Sequence, residues 1–185
     1  MFKFLSRTYR TSKRLKAEAI ERGLCEQWQG EWSDSETIDS LAKKFIRGQD
    51  FAIKHNWPTP EYIESHFTRE ECRRNGVYVN DYTGVWNPKQ RTLILMGNTE
   101  LQCHISGLGA HDIYVRHDSR MRIYATEDAR VFISIYDNAP IEVYADEDAK
   151  VCVYLHGGSV AYSEGNVIIR HSANEEKSNN NNEEK

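Results

Sequence analysis

A ten-residue period runs through the second half of the chain, from residue 111 to residue 160, and a twenty-residue period underlies it. One position in each ten always holds a β-branched apolar residue. The members of this position are Ile113, Ile123, Ile133, Val143 and Val153. A repeat of fixed length predicts a stacked architecture before any single residue is considered, although it does not indicate an activity.

Each repeat leaves about six residues for a strand and about four for a turn, and two architectures use such a unit. In a β-solenoid or β-roll, two repeats form one coil, so that residues twenty apart stack in parallel. In an antiparallel β-meander, one apolar face of the sheet packs on helices. The alternation of side-chain size favours the solenoid, because a thin interior fills without voids only when large residues lie opposite small ones. The large residues are Val115, Ile135 and Leu155, and the small ones are Ala125 and Ala145.

We expect roughly three to four such coils, with a rise of about 4.8 Å from one coil to the next. The coils have two ends, and strands at an open end of a sheet tend to recruit other strands. The repeat domain is expected over residues 77–171. The fold class is therefore α+β, with a small helical module followed by a short β-solenoid and with the meander as the alternative.

Residues 1–76 form the expected helical module. The apolar pattern predicts one helix over 11–27, with Ser12 as its N-cap, and a second helix over 35–55. The segment 56–58 ends the second helix, since the residue before a proline leaves the helical region. Two short helices follow, with caps at Thr59 and Thr68.

The two ends of the chain differ in charge. Residues 1–16 carry six basic residues and no acid, which we interpret as a solvated helix end. Contact with nucleic acid, an anionic membrane or an acidic partner is the alternative interpretation. From Asn174 onward the chain holds only Asn, Glu, Lys and Ser. A segment without apolar side chains buries nothing that offsets its ordering entropy, so we expect residues 172–185 to be disordered.

The 185 residues carry a net charge of −4, and 28% of them are charged, which fits an ordinary water-exposed protein surface. No apolar run approaches the roughly 18 residues that would cross a bilayer, and the N-terminus lacks a signal-peptide pattern. The four cysteines lie far apart without a CxxC spacing, so reduced thiols fit better than disulfides or a zinc site. These features predict a cytoplasmic protein.

Four tyrosines at equivalent repeat positions are the candidate binding residues. They are Tyr114, Tyr124, Tyr144 and Tyr154. In the coiled arrangement Tyr124 and Tyr144 share one outer face, and the other two share the opposite face. Tyrosine suits binding surfaces because a flat apolar ring ends in a hydroxyl group. The alternative interpretation is ordinary strand propensity with stacking between neighbouring strands.

No sequence motif predicts catalysis or a bound cofactor. The chain has no nucleophile elbow, no phosphate-cradling loop and no informative pair of acid and base. The acidic turns at 127–128 and 146–148 lack the glycines of calcium-binding β-rolls, so we interpret them as solvated turns. His111 and His117 are six residues apart with a strand between them, and the metal-binding spacings HxH on a strand and HxxxH on a helix are absent. We therefore assign no catalytic residue, no metal ligand and no cofactor.

Three stretches carry a resemblance to a known group of proteins. They are Leu24-Cys25-Glu26-Gln27-Trp28, Phe51-Ala52-Ile53 with Trp57-Pro58, and Ile113-Tyr114-Val115-Arg116-His117-Asp118-Ser119. Together with the ten-residue repeats, they resemble uncharacterised decapeptide-repeat β-solenoid proteins of Bacteroides-type bacteria and their phages and prophages. The resemblance covers roughly residues 20–170 and implies the solenoid fold, but it implies no activity and no catalytic residue.

The function expected from the sequence is therefore non-enzymatic. We expect a structural or protein-interaction module that binds a protein partner or another copy, with a phage or prophage assembly component suggested by analogy alone. A cytoplasmic or virion-associated location accompanies this expectation. A carbohydrate- or peptide-binding module that uses the tyrosine faces is the second hypothesis. The third is a metal-dependent enzyme with histidines from two subunits.

Overall fold

The computed structural model describes residues 7–171. The first six residues of the basic N-terminus and the tail over 172–185, which we predicted to be disordered, lie outside the described residues. The helices are α1 (Arg7–Glu21), α2 (Glu26–Glu31), α3 (Ile38–Arg47), α4 (Gln49–His55), α5 (Pro60–His66) and α6 (Arg69–Arg73). None of these helices, in the part of the chain that the structure describes, is long and apolar enough to cross a lipid bilayer.

Eleven strands follow the helices within the described residues. They are β1 (Val77–Val79), β2 (Tyr82–Trp86), β3 (Thr92–Met96), β4 (Glu100–Ser106), β5 (Gly109–Val115), β6 (Arg120–Thr126), β7 (Ala129–Ile135), β8 (Pro140–Ala145), β9 (Lys150–Leu155), β10 (Ser159–Gly165) and β11 (Val167–His171). The chain divides into two compact units between Asn75 and Gly76, which we call the helical unit and the solenoid unit.

The two long helices that the sequence predicts are each divided in two. The first ends at Glu21, where Gly23 adopts a left-handed backbone conformation with φ of +89°, and the second is interrupted at Gly48. Ser12 does not cap a helix, and that prediction is wrong. It lies inside α1, where it is fully buried, and its hydroxyl donates a hydrogen bond to the Ser33 carbonyl oxygen at 3.2 Å.

The threonine caps of the two last helices are present as predicted. The Thr59 hydroxyl accepts a hydrogen bond from the Tyr62 amide, and Pro60 occupies the first turn of α5. Thr68 forms a complete capping box with Glu71, in which each side chain accepts a hydrogen bond from the other residue's backbone amide. The helices enclose a small apolar core. Its buried members are Leu15, Ala19, Leu24, Trp32, Leu41 and Trp57.

The solenoid unit consists of two parallel sheets, which alternate along the chain. Sheet A has the strand order β1-β3-β5-β7-β9-β11, and sheet B has the order β10-β8-β6-β4-β2. Every pairing between their strands is parallel. The predicted helical module followed by a β-solenoid is therefore confirmed, and the antiparallel meander is excluded. The solenoid has about five turns, where we expected three to four.

The register explains the alternation of large and small residues. Ala125 pairs with Ala145 in sheet B, while Ile135 pairs with both Val115 and Leu155 in sheet A. The large residues of one sheet therefore share the core with small residues of the other. Leu101, Cys103 and Ile105 extend the sheet B side of this core. Burial raises the pKa of the Cys103 thiol to about 12, so this thiol stays protonated at neutral pH.

The corners of the coils rely on residues that tolerate a left-handed backbone. Within the described part of the solenoid unit, the non-glycine residues with positive φ are Asn80, Asn87, His117, Glu127 and Asp137. Side chains from an adjacent coil fix some of these corners through hydrogen bonds. The Asp137 carboxylate accepts one from the His117 amide at 2.7 Å, and the Asp146 carboxylate accepts one from the Glu127 amide at 2.8 Å. The short polar residues in the repeat thus determine where each strand ends.

Candidate functional site

The structure places the four candidate tyrosines on two opposite faces of the solenoid. Tyr124 pairs with Tyr144 on the outer face of sheet B. Tyr114 and Tyr154 lie in sheet A, where both pair with Ser134, so Ser134 separates the two tyrosine rings. Only the tyrosines of sheet B therefore come together as neighbours, and they belong to a longer row of aromatic rings.

This row, which we call the aromatic column, crosses all five strands of sheet B. It contains Trp86, His104, Tyr124, Tyr144 and Tyr162. The distances between successive ring centroids are 5.0, 4.5, 4.8 and 5.2 Å. The first three pairs lie within 13° of parallel, and the pair formed by Tyr144 and Tyr162 is tilted by 38°.

The strand spacing explains the stacking and limits what the column can bind. Adjacent strands lie about 4.8 Å apart, so rings at paired positions are held face to face. The faces of Tyr124 and Tyr144 are therefore covered by neighbouring rings, and these residues offer ring edges and hydroxyl groups to solvent. Trp86 differs because β2 is the edge strand of sheet B, and its side chain is 64% exposed. A flat apolar ligand has better access to the Trp86 ring than to the predicted tyrosines.

A groove lies beside the aromatic column on the same face of sheet B, with a volume of about 660 Å³. Its lining includes Tyr82, Trp86, Gln102, Arg120, Arg122 and Glu142. Gly84 contributes to its shape, because a Cβ atom at this position would lie 2.8 Å from Cζ3 of Trp86. The tryptophan ring therefore lies against the Gly84 backbone and forms one wall of the groove.

The floor of the groove carries a short ion pair. The Arg122 Nε atom donates a hydrogen bond to the Glu142 carboxylate at 2.6 Å, and the Tyr144 hydroxyl lies 3.4 Å from the same carboxylate oxygen. The hydrogen bond and positive charge of Arg122 lower the pKa of Glu142. Desolvation and the negative charge of Glu142 raise the pKa of Tyr144. At neutral pH the groove therefore presents a carboxylate and guanidinium groups, with the protonated phenol of Tyr144 next to Glu142, which suits hydrogen bonding to polar ligands.

The acidic turns at 127–128 and 146–148 form hydrogen bonds that involve the backbone at the corners of the solenoid. The Asp146 carboxylate accepts hydrogen bonds from the amides of Glu127, Asp148 and Ala149, and these bonds lower its pKa. The Arg130 guanidinium donates to the carbonyl oxygens of both Asp128 and Asp148. These contacts tie two adjacent corners together.

The histidines named in the metalloenzyme hypothesis are not brought together in one chain. His111 lies within β5, where burial lowers its pKa. His117 lies at the next corner, where its Nδ1 atom accepts a hydrogen bond from the Gly97 amide at 3.1 Å. No three His, Cys, Asp or Glu side chains cluster as a metal site within residues 7–171. A site shared between two subunits stays a prediction.

The last coil forms a second candidate surface, which we call the open end and which consists of β10 and β11. These are the final strands of their sheets, so their outer backbone edges face no further strand in the described residues. Four of the five residues of β11 are exposed, and six of the seven residues of β10 are exposed. Large apolar side chains are among them. Tyr162 is 47% exposed, Ile168 is 52% exposed and Ile169 is 40% exposed.

The fold defines this chain as a two-sheet parallel β-solenoid protein with an N-terminal helical unit. No known protein family, curated protein or solved structure matches the chain.

The sequence reasoning found part of the aromatic column and missed the rest. It grouped Tyr124 with Tyr144 but did not include Trp86, His104 or Tyr162. Trp86 pairs with His104, whereas a strict twenty-residue period would have paired it with Ser106. An irregularity in β10 similarly shifts the register around Tyr162. A search for aromatic residues that allowed shorter coils would have found Trp86 and His104.

Proposed function

We propose that this chain is a non-enzymatic assembly and protein-interaction module, and that its open end binds another copy of the same chain. The observation that carries this proposal is the exposure of the last coil. Its strands present an outer backbone edge together with apolar residues, and of these Val167 and Ile169 pair with the core residues Val151 and Val153. Such an edge recruits further strands unless it is blocked by charge, proline or a covering segment.

A second copy is the occupant that matches this surface best. Val160 and Val167 are half-buried and pack against the solenoid core, and Ile169 pairs with the core residue Val153. A strand with the same apolar alternation would continue the ladder and cover these residues, and the chain itself contains such strands. The C-terminal residues from Asn174 onward have no apolar side chain, so they are poor candidates for burying Ile169.

The solution mass under reducing conditions tests this proposal. We expect a discrete oligomer of the full chain by light scattering on a sizing column. An inward-facing charge at the edge should prevent pairing, so Ile169→Lys should reduce the mass to that of a monomer of 21.5 kDa. The matched control is Phe132→Lys, which places the same charge at a 42% exposed residue of the inner strand β7. This control should keep the oligomer.

Two results would contradict the proposal. One is a monomeric full chain at every concentration tested. The other is an oligomer that survives Ile169→Lys as well as it survives Phe132→Lys, since another surface would then hold the copies together. A variant that ends at His171 should contain the same number of chains per oligomer as the full chain. A larger number of chains on this truncation would identify residues 172–185 as the segment that covers the open end.

Carbohydrate or peptide binding in the sheet B groove is the second candidate function. The observation that favours it is the combination of exposed aromatic rings and paired polar groups along one groove. Tyr82 is 80% exposed and Trp86 is 64% exposed, and Gln102, Arg122 and Glu142 line the groove beside them. Sugars are commonly bound by an aromatic ring on one side and hydrogen-bonding side chains around it.

Tryptophan fluorescence during titration with a panel of oligosaccharides and extended peptides tests this second function. Binding should quench the fluorescence of Trp86, and Trp86→Ala should abolish the binding. Tyr154→Ala is the matched control, because it removes an aromatic ring from the opposite sheet. Equal loss of binding in both variants, or no saturable change with any ligand of the panel, would contradict binding in the groove.

A structural role in a phage or mobile element completes the proposal. It rests on the resemblance of the repeats to phage and prophage solenoid proteins, and it is an analogy of fold. A cytoplasmic or virion-associated location belongs to the same proposal. The third hypothesis, a metal-dependent enzyme with shared histidines, is supported by no contact within the described residues.

A further inference from the structure

The helical unit contains an apolar cavity of about 270 Å³ that opens to solvent. We call it the aromatic cavity because rings form much of its wall. Its lining includes Ala19, Trp28, Trp32, Phe45, Phe51 and Trp57. They come from helices α1 to α4 and from the segments that join or follow these helices, so the cavity belongs entirely to the helical unit.

The aromatic cavity is large enough to hold a small molecule. Protein interiors are close-packed, and voids larger than a water molecule are few. A cavity of about 150 Å³ with apolar walls stays dry and takes up benzene. The aromatic cavity is larger than that and is also lined by rings, so two fused aromatic rings fit it better than one. Trp28, Phe45 and Phe51 are only partly buried at its wall, so a bound ligand would remove more of their apolar surface from water.

The polar groups of the wall indicate an uncharged ligand. The Trp57 indole N–H donates a hydrogen bond to the Glu18 carboxylate at 3.0 Å, and the Trp32 indole N–H donates to the Ser12 hydroxyl at 3.3 Å. Lys44, which also lines the cavity, forms an ion pair with Glu36 at 3.3 Å. These donors are therefore already engaged by the protein.

The charges at the lining disfavour an anion in particular. The cation of Lys44 is compensated by its ion pair, whereas Asp50 adds an acidic group to the lining. Among the lining residues, an anionic ligand would meet the Asp50 carboxylate, and the one cation, Lys44, is already paired with Glu36. A neutral ligand avoids this repulsion and still gains the contact with the rings.

We propose that the aromatic cavity binds a neutral, planar small molecule with two fused aromatic rings, of the indole class. The site is separate from the groove and from the open end. It gives the helical unit a ligand-binding function that does not depend on the assembly proposed for the solenoid.

Titration of the full chain with 5-fluoroindole, followed by ¹⁹F NMR, tests this proposal directly. We expect saturable binding with one site per chain. The anionic analogue 5-fluoroindole-3-acetate should bind at least about tenfold more weakly, because it brings a carboxylate near Asp50. A variant that begins at Arg7 should bind 5-fluoroindole with the wild-type affinity.

Two alanines in α1 provide a matched pair of variants. Ala19 is fully buried and lines the cavity, whereas Ala17 lies two residues earlier and is exposed. Ala19→Leu should fill part of the cavity and weaken binding at least about tenfold, because the added side chain competes for the same space. Ala17→Leu should leave the affinity within about twofold of wild type, since its side chain points to solvent.

Ala52→Leu is the second filling variant, because Ala52 is buried and lines the cavity from α4. It replaces Ala19→Leu if circular dichroism indicates that the latter does not fold. The proposal is overturned if wild-type protein shows no saturable binding up to millimolar 5-fluoroindole. It is also overturned if the folded filling variants bind like wild type. Binding that appears only in the variant beginning at Arg7 would identify residues 1–6 as the occupant and would overturn it too.

Discussion

The inner coils and the last coil of the solenoid place the same kind of apolar residue at the same position, but they bury it to very different extents. Ile133 in β7 and Ile169 in β11 occupy one column of sheet A, since each of them pairs with Val153 of β9. Ile133 is fully buried, whereas Ile169 remains 40% exposed. The residue type and the side of the sheet are the same, so the presence of a strand on both sides causes the difference.

The repeat alone therefore does not bury its own apolar face. A coil in a stacked architecture contacts only its neighbours, and a terminal coil needs a cap to be buried. Within the described residues no such cap follows β11. The open end is thus a part of the solenoid where a partner would gain apolar contact.

The largest effect is expected at Ile133. Ile133→Ala leaves a cavity in a fully buried position, and it should lower the free energy of unfolding by about 2–5 kcal/mol. Thermal or urea unfolding, followed by circular dichroism, measures the change. The matched variant Ile169→Ala should cost about 1 kcal/mol or less in the monomer, because the side chain is already partly in water. Equal losses of unfolding free energy at the two positions would contradict the claim that Ile169 lacks a covering neighbour.

The next largest loss of stability is expected from overpacking of the core on the sheet B side, where the small residues Ala125 and Ala145 lie. Ala125 is fully buried in β6, and Ala125→Leu should destabilise the protein by about 1–3 kcal/mol because the thin core has no space for the added atoms. Ala110→Leu in β5 is the control, since Ala110 is exposed. It should change stability by less than about 0.5 kcal/mol. If both substitutions were tolerated alike, the assignment of inward and outward positions would be wrong.

The smallest effect concerns the surface of the inner coils. Arg122→Gln removes the cation that lowers the pKa of Glu142, so this pKa should rise toward its ordinary value of 4.5. Because the folded-state pKa is lowered, the stabilisation by ionised Glu142 is present above about pH 4.5 and is lost as the pH falls through the folded-state pKa. An NMR titration of the Glu142 side chain measures both values. An unchanged pKa in the variant would show that Arg122 does not cause the shift.

The middle of the solenoid could be predicted from sequence because its coils have equal length. Residues such as Ile123 and Val143 then fall at paired positions by counting alone. The first and last coils are shorter, so Val77 pairs with Ile94 and Val167 pairs with Val151. Counting in twenties fails there, which is why the expected number of coils was too low.

The helical unit was predicted less well because it lacks a repeat. The caps at Thr59 and Thr68 depend on neighbouring residues only, and both were identified. The burial of Ser12 depends on its contact with Ser33 and Trp32, twenty or more residues away, and local patterns carry no signal for it. The aromatic cavity was missed for the same reason. A cavity appears only when the helices are assembled.

Hydrogen exchange at two protein concentrations tests whether a second copy of the chain covers the open end. If another copy covers the open end, the backbone amides of β11 should exchange slowly at high concentration and quickly at low concentration. The amides of β7, which is paired on both sides, should be protected equally in both samples. Protection of β11 that does not change with concentration would contradict the claim that a second copy binds there.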